Sequence, residues 1–362
     1  MGSFNKLMLF GFISIMVSCQ SNTKSPESVI DKIAFEKISM EPSVLRTPNT
    51  FYSKLVANRA VLEFRGVTHF IFRGQGESGH DQIGMWTTPS DKADGIHWEV
   101  HIPSPIIPVS ADPTAPDNQH ILAPGVVVKG DSLFVYYMAK SAKPNPNYSI
   151  CLSISTDGIT FNKYASNPVL DLAIEPEVVF HNGLLYVFYQ EQVEDYWEVY
   201  VATSKNGIDF NRAPKRKILG PSHTPGAFDE HSVATVRISK EGENFYMTYG
   251  ACKKYIDYPE SIGLARSTDL IHWEQYAHNP VFLRGDAGTW DERALWFPTV
   301  HEMQDQYVMW YEGGGSGLGL QTDEAHEASR KAREENYGGY MNTSFSQIGT
   351  AIFKGKFKDH WE

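Results

Sequence analysis

A short phrase that recurs five times along the chain constrains its fold more than any other feature of the sequence. Each copy opens with Asp or Asn, most continue with Gly, and all end on Trp or Phe. The copies occupy residues 94–98, 157–161, 206–210, 269–273 and 359–361. They follow short apolar stretches that end in Ser or Thr, which predicts a strand, a tight turn and an aromatic residue opening the next strand. Self-similarity of this kind is typical of propellers and other repeat arrays.

A second repeat indicates how each unit begins. Pairs of apolar stretches, joined by turns such as Gly130-Asp131 and Asn182-Gly183, predict the first two strands of every blade. These pairs lie at residues 58–72, 123–137, 175–189, 232–249 and 297–311. The two repeats together predict an all-β protein, a five-bladed β-propeller over residues 33–362. The last phrase falls where blade V would begin its outer strand, so we expect residues 33–38 to supply that strand and cover the sheet edge.

The composition fits one globular domain and argues against nucleic acid as a partner. Of 362 residues, 41% are hydrophobic and 13% are aromatic, which is typical of an all-β globular protein rather than a disordered chain. The net charge of −11 and a pI near 5.6 disfavour binding to a polyanion. Cys151 and Cys252 fall on predicted strands of different blades, so we expect free, buried thiols. No spacing resembles a zinc site, and no metal ligand is predicted.

The N-terminal residues resemble a bacterial lipoprotein signal. Lys6 precedes an apolar run over residues 7–17, which is too short to span a bilayer as a helix. The run leads into Ser18-Cys19, similar to the lipoprotein cleavage box. The resemblance implies that residues 1–18 are a signal peptide and that Cys19 is lipidated. Residues 20–27 are rich in Ser, Asn and Lys, which suits a flexible tether over residues 19–32. A plain signal peptide is the alternative.

The lipoprotein interpretation predicts where the protein is located and how it contacts a membrane. We expect secretion across the inner membrane of a Gram-negative bacterium, with the protein anchored in the outer membrane or periplasm. The lipid on Cys19 would be its only contact with a membrane.

Several phrases resemble the five-bladed propeller glycosidases of glycoside hydrolase family 43 and its relatives, families 32, 62, 117 and 130. They are Ala-Pro-Gly-Val at 123–126, Ala-Ile-Glu-Pro-Glu-Val at 173–178, the stretch 262–274, and Asn-Pro-Val-Phe at 279–282. The resemblance implies a glycosidase acting on an oligosaccharide or polysaccharide, exo-acting or debranching, with inversion. An enzyme of this kind would require no cofactor, and a structural calcium ion in its central channel is compatible with the resemblance.

The same resemblance suggests catalytic residues. Family 43-like enzymes use a blade I Asp as general base, a blade III Asp that orients and tunes, and a blade IV Glu as general acid. Two carboxyl groups with opposed protonation states are what glycosidic cleavage needs. Glu175 stands at the blade III position, and Glu230 lies about two residues out of register with the blade IV glutamate. Asn58 occupies the blade I position and cannot act as a base, which leaves Glu292 and Asp81 as replacement candidates. For these two, capping a turn is an equally good interpretation.

Other residues suit binding to a sugar. Arginine and histidine side chains near strand starts could bind hydroxyl, carboxylate or sulfate groups, and aromatic side chains in loops could stack on sugar rings. The candidates are Arg59, Arg73, His231, Arg293, Trp197 and Tyr255, together with Asn58. The aromatic residues of the recurring phrase are instead expected to be structural wedges between blades.

Two further features leave alternatives open. Thr322 begins a charged stretch to residue 336 that is flanked by glycines, which predicts a short helix inserted in blade V, either a lid or a solvated decoration. Two rival functions also remain. One is a family 130-like phosphorylase that uses inorganic phosphate. The other is a non-catalytic glycan-binding propeller, which Asn58 makes credible.

Overall fold

The computed structural model describes residues 32–143, 148–314 and 346–361, which fold as an all-β, five-bladed propeller. The predicted signal peptide, Cys19 and the predicted helical insertion in blade V lie outside these residues. In the described part of the chain, helical structure is confined to two short 3-10 segments, Ser90–Lys92 and Phe357–His360. No helix there is long and apolar enough to span a membrane. The repeats therefore predicted the fold correctly.

The strands follow one another blade by blade, except that the first strand belongs to the last blade. Their bounds are β1 Glu36–Lys37, β2 Leu55–Phe64, β3 Val67–Gln75, β4 Asp81–Pro89, β5 Val100–His101, β6 His120–Lys129, β7 Ser132–Lys140, β8 Ser149–Ser155, β9 Asn162–Lys163, β10 Leu170–Asp171, β11 Ile174–His181, β12 Leu184–Val193, β13 Tyr196–Ser204, β14 Asn211–Leu219, β15 Ser232–Glu241, β16 Asn244–Cys252, β17 Ser261–Ser267, β18 Glu274–Gln275, β19 Phe282–Leu283, β20 Ala294–Met303, β21 Gln306–Gly314 and β22 Gln347–Lys354. Blade I contains β2–β5, blade II β6–β10, blade III β11–β14, blade IV β15–β19, and blade V β20–β22 with β1. All pairings are antiparallel.

The recurring phrase is a tight turn that its own first side chain holds together. Oδ1 of Asp94 accepts two backbone N–H groups from the residues that follow, both at 2.8 Å. Asp157, Asn206 and Asp269 make the same pair of bonds in blades II, III and IV. These are Asx turns, in which a short polar side chain replaces a backbone acceptor. The spacing of Asp or Asn before the aromatic residue is therefore a local folding signal.

Each turn also packs its blade against the preceding one. Gly95 has a φ of 78°, a conformation that favours glycine, and its carbonyl oxygen accepts the indole N–H of Trp310 in blade V at 2.7 Å. The ring of Trp98, which ends this phrase, lies 6.4 Å from the ring of Trp310. The corresponding pairs are Phe210 with Tyr136, Trp273 with Phe188, and Trp361 with Tyr246. The prediction that these aromatic residues are wedges between blades is confirmed.

The N-terminal strand closes the ring as predicted. Glu36 and Lys37 of β1 pair with Ile352 and Ala351 of β22, at the outer edge of blade V. The Lys37 ammonium lies 2.6 Å from the Asp291 carboxylate, whose side chain is 1% exposed. A buried ion pair therefore fastens the added strand to blade V, and the edge of β22 is covered.

The innermost strand of every blade carries a β-bulge near its start. At each bulge the register with the second strand shifts, and one residue that is not glycine has a positive φ. These residues are Asn58 (29°), Ala123 (46°), Glu175 (56°), Thr235 (53°) and Phe297 (50°). Bulges re-aim side chains, and strained backbone of this kind is concentrated at functional sites. The five bulges form a ring that positions the candidate site.

The core consists of apolar clusters between neighbouring blades. Blades I and II share one cluster, and both predicted thiols, Cys151 and Cys252, are buried and unbridged. Burial raises the pKa of each thiol well above its ordinary value. The prediction of free, buried cysteines is confirmed.

Candidate active site

The candidate site is built from two rings of equivalent positions. The first is the ring of bulge residues, and the second consists of the second-strand residues that face the start of each bulge. Members of the second ring are Arg73, Met138, Gln190, Gly250 and Glu312. Because the blades repeat, these residues converge around one axis although they are far apart in sequence.

A cavity at these rings collects the polar groups that could carry chemistry. Its polar lining consists of Asn58, Arg73, Glu175, Asp257 and Glu312, and its apolar lining of Leu122, Ala123, Met138, Trp296 and Phe297. The volume is about 20 Å³, enough for one water molecule but not for a sugar ring. The cavity therefore represents the inner end of a site, where three carboxyl groups meet.

Asn58 and Glu312 form a bridge between the first blade and the last. Oε2 of Glu312 accepts the Asn58 amide Nδ2–H at 2.6 Å and the Asn58 backbone N–H at 3.1 Å. Oδ1 of Asn58 in turn accepts the backbone N–H of Ala123, the bulge residue of blade II, at 3.3 Å. The other carboxylate oxygen of Glu312 is buried and has no partner among the described residues. Asn58 thus fixes one oxygen of a buried carboxylate at the cavity.

Glu175 is a buried acid in an unfavourable setting for negative charge. Burial, together with the charges of Asp257 and Glu312, raises its pKa to about 8, although Arg237 and Arg73 act in the opposite direction. Its Oε2 accepts no hydrogen bond from the described part of the chain. At neutral pH the folded protein therefore keeps the Glu175 carboxyl protonated. A protonated carboxyl in a cavity is suited to donate a proton.

Arg73 is held at the cavity by a buried network that contains Asp81. Its Nε donates to Oδ1 of Asp81 at 2.6 Å, and the other oxygen of Asp81 lies 2.8 Å from Nδ1 of His120. Burial alone would raise the pKa of Asp81, but Arg73 and His120 outweigh it and lower the pKa. Asp81 therefore stays ionised and orients Arg73. Asp81 is not among the described residues that line the cavity.

Glu230 and Glu292 occupy matching turns before the first strands of blades IV and V. Oε2 of Glu230 accepts the Gly226 N–H at 2.7 Å, and Oε2 of Glu292 accepts the Gly288 N–H at 2.5 Å. Each carboxylate thus bonds to a backbone N–H four residues earlier. Neither belongs to the described lining of the cavity. The geometry is that of turn capping, the interpretation that the sequence left open for Glu292.

The remaining predicted residues lie around the cavity rather than in its described lining. Arg59 is fully buried, and Nη2 of Arg293 donates to the Tyr258 hydroxyl at 2.6 Å. The Tyr255 ring packs edge-on against Tyr258, 6.4 Å away, and Tyr258 is buried in an apolar cluster. His231 and Trp197 use their backbone N–H groups to bond the Cys252 carbonyl and the Ser232 hydroxyl.

Of the predicted site residues, the cavity brings together Glu175, Asn58 and Arg73. Sequence reasoning missed Glu312 and Asp257. Glu312 directly follows Tyr311, one of the tyrosines that recur in the second strands, so the register of those tyrosines was a usable signal. Asp257 lies in the loop between β16 and β17, and nothing in the sequence marks where that loop turns.

The structure describes no obvious metal centre. In the described part of the chain no group of three or more His, Cys, Asp and Glu side chains is arranged to hold a metal ion. A structural calcium ion therefore remains an expectation from the sequence, and no chemistry is assigned to one.

Comparison with known proteins identifies the fold. No protein-family model matches the chain, and no curated protein has significant similarity to it. Among solved structures, a thermostable family-43 glycoside hydrolase has a TM-score of 0.59 at 14% identity, with 84% of this chain and 91% of that one covered. A β-1,2-mannobiose phosphorylase from Listeria innocua has a TM-score of 0.60 at 12% identity, with 88% and 96% covered. The fold is that of the propeller glycoside hydrolases.

The same fold also carries other chemistry. An N-acetylgalactosamine deacetylase from F. plautii has a TM-score of 0.60 at 14% identity, with 88% of this chain and 95% of that one covered. Identities this low establish the fold alone. Because proteins named for hydrolysis, phosphorolysis and deacetylation share this propeller, the fold does not determine the reaction, and the residues of the site do.

Proposed function

We propose that this protein is a glycoside hydrolase that acts on a polysaccharide-derived glycan, exo-acting or debranching, with inversion at the anomeric carbon. One observation carries the proposal. A carboxyl group that burial keeps protonated, Glu175, shares a cavity with a carboxylate that an amide holds in place, Glu312. An acid and a base of this kind are the two groups that glycosidic cleavage requires.

Glu175 is the proposed general acid. With a pKa near 8 it carries its proton at neutral pH and can give it to the leaving oxygen. The resemblance assigned this position an orienting role and assigned the acid to Glu230. The buried carboxyl at the cavity favours Glu175 instead, because the Glu230 carboxylate caps a partly exposed turn.

Glu312 is the proposed general base. It takes over the function that Asn58 cannot perform, with one oxygen fixed by Asn58 and the other directed to no partner among the described residues. That second oxygen can accept a proton from an attacking water. Inversion requires about 6.5–9.5 Å between the two carboxyl groups, so that a water fits between the base and the sugar.

The size of the cavity adds a requirement for substrate entry. Space for one water molecule does not admit a sugar ring, so a lining side chain such as Trp296 must move when the glycan binds. Arg73, fixed by Asp81, then offers charged donors to sugar hydroxyl groups.

The test is a screen of the purified protein on plant and algal oligosaccharides, with product anomers followed by NMR. Glu175→Gln should slow cleavage of natural linkages by about 100- to 10,000-fold, and activated aryl glycosides should be less affected because their leaving groups need little protonation. Glu312→Gln should abolish turnover of both substrate classes. Added azide should partly restore product with inverted configuration, because a small anion can replace the activated water. Glu63→Gln, at an exposed position of innermost strand β2, is the control and should keep full activity.

Other outcomes would identify the rival functions. Turnover that needs inorganic phosphate would indicate a phosphorylase, and release of acetate without cleavage would indicate a deacetylase. Saturable glycan binding without any product would indicate a binding protein. Full activity of Glu175→Gln on natural oligosaccharides would overturn the assignment of the acid.

A further inference from the structure

The central channel contains a second cavity further along the innermost strands, beyond the ring of bulges. Its volume is about 250 Å³, more than ten times that of the candidate active site. Residues of all five blades line it, and four of them, Ala60, Glu177, Arg237 and Thr299, stand two positions after a bulge residue. The repeat that builds the candidate active site thus builds a second chamber below it.

Arg237 gives this chamber an unusual donor. Its side chain is 2% exposed, and Nη1 donates to the Val236 carbonyl at 2.8 Å and lies 3.6 Å from the Glu177 carboxylate. Nε and Nη2 are buried and have no partner among the described residues. These two nitrogens form one edge of the guanidinium, whose parallel N–H groups match two oxygens of a carboxylate, sulfate or phosphate. Leaving such buried donors unpaired is costly, so they mark a site for an acceptor.

We propose that the lower chamber binds a small oxyanion, and that the Arg237 side chain shifts to present Nε and Nη2, which are covered in this structure, to its oxygens. The volume suits a group the size of sulfate, phosphate or a short carboxylate. Lys240 also lines the chamber and adds positive charge. The fully buried Arg59 has no described partner for any of its three guanidinium nitrogens, and its carbonyl accepts the hydroxyl of Thr299, which lines the chamber. A spherical halide matches one edge of a guanidinium less well than two oxygens do.

Two carboxylates of the lining, Glu177 and Glu302, oppose this binding, and Glu177 is the one that lies against Arg237. One of its oxygens accepts the Ile238 N–H at 3.0 Å, and the other faces Arg237. Burial raises the pKa of this carboxyl to about 7, although Arg237 lowers it in part. An ionised Glu177 repels an incoming anion and competes for the same guanidinium. Removing its charge should therefore strengthen anion binding, whereas a purely structural ion pair would gain nothing from that change.

The experiment uses the full chain and needs no enzymatic activity, so its failure is separate from a failure of the proposed function. Thermal unfolding is measured in sulfate, formate and chloride at equal ionic strength, and crystals are soaked in selenate. We expect an anomalous peak about 4 Å from Nε and Nη2 of Arg237, because the selenium atom lies behind the oxygens that accept the two N–H groups. We also expect a saturable rise in melting temperature with an oxyanion that chloride does not reproduce. A larger rise with formate would identify a carboxylate site, and a larger rise with sulfate a site for sulfate or phosphate.

Variants make the test specific. Arg237→Lys keeps the charge but loses the paired N–H groups, and its oxyanion affinity should fall about tenfold or more. Glu177→Gln should bind more tightly than wild type, which keeps the proposal testable if the Arg237 variant does not fold. Absence of a peak at Arg237 together with equal effects of sulfate and chloride would overturn it, as would unchanged or weaker binding by Glu177→Gln.

Discussion

Replacing Glu175 by Gln should stabilise the protein in a way that depends on pH. The folded protein keeps the Glu175 carboxyl protonated up to a pKa of about 8, while the unfolded chain releases the proton near 4.5. Between these two values the folded state binds one proton more than the unfolded state. Stability from this group is therefore present below pH 4.5 and is lost as pH rises toward 8, the reverse of a salt-bridged carboxylate.

The magnitude follows from the two pKa values. Each pH unit above 4.5 costs about 1.4 kcal/mol of folding free energy, which gives about 3 kcal/mol at pH 7 and less than about 1 kcal/mol at pH 5. Gln has nearly the same shape and takes up no proton. The free energy of unfolding of Glu175→Gln, relative to wild type, should thus rise by about 2–3 kcal/mol between pH 5 and pH 7.

Urea unfolding at several pH values measures this difference, and constant effects of the substitution cancel in the comparison. Glu63→Gln, at an exposed position of the same kind of strand, is the control and should show no such trend. If the difference in free energy of unfolding between Glu175→Gln and wild type stays constant from pH 5 to pH 7, Glu175 is not held protonated. Its assignment as general acid would then be wrong. The same variant should lose turnover while it gains stability, a combination expected of a strained catalytic group.

Three further predictions concern other parts of the chain. Lys37→Met leaves the buried Asp291 without its cation and should lower the free energy of unfolding by about 3 kcal/mol in urea titrations, whereas Glu36→Ala on the same strand should change it little. Cys19→Ser should move the protein from the membrane fraction to a soluble secreted form, and unchanged membrane association would argue against a lipid anchor. Glu230→Gln should cost about 1 kcal/mol of stability and keep most activity on natural oligosaccharides if the side chain caps a turn, whereas loss of activity would restore it as the acid.

The fold was predictable because its signals are local and repeated. An Asx turn needs only Asp157 and the few residues after it. The phrase occurs five times, four of its copies form this turn, and the five copies together fix the number of blades. The closing strand was predictable for a different reason. An exposed edge on β22 would be unfavourable, and an apolar segment near Phe35 was available to cover it.

The site was only partly predictable because it depends on registers across bulges. Glu175 and Asn58 begin innermost strands, and a propeller directs such positions toward its channel. Glu312 required knowing which second-strand residue faces the bulge, and one residue more or less would turn the side chain away. Glu230 stays a prediction, and here the local geometry favours a different role. Its surrounding phrase resembled a catalytic one, but the backbone N–H of Gly226 lies within reach of its carboxylate.

The route by which blade V is completed has a consequence for folding. Strand β1 comes before blade I in the chain, yet it pairs with β22, so that Glu36 meets Ile352 across nearly the whole sequence. Blades I to IV contain only strands from neighbouring parts of the chain and can form in order as the polypeptide is synthesised. Blade V has to wait for β22, its third strand, and then recruit a segment that was made before blade I. Closing so long a loop is entropically slow. We therefore expect ring closure to be the late step, and the open edge of β22 to be the part of a newly made chain most exposed to pairing with other molecules.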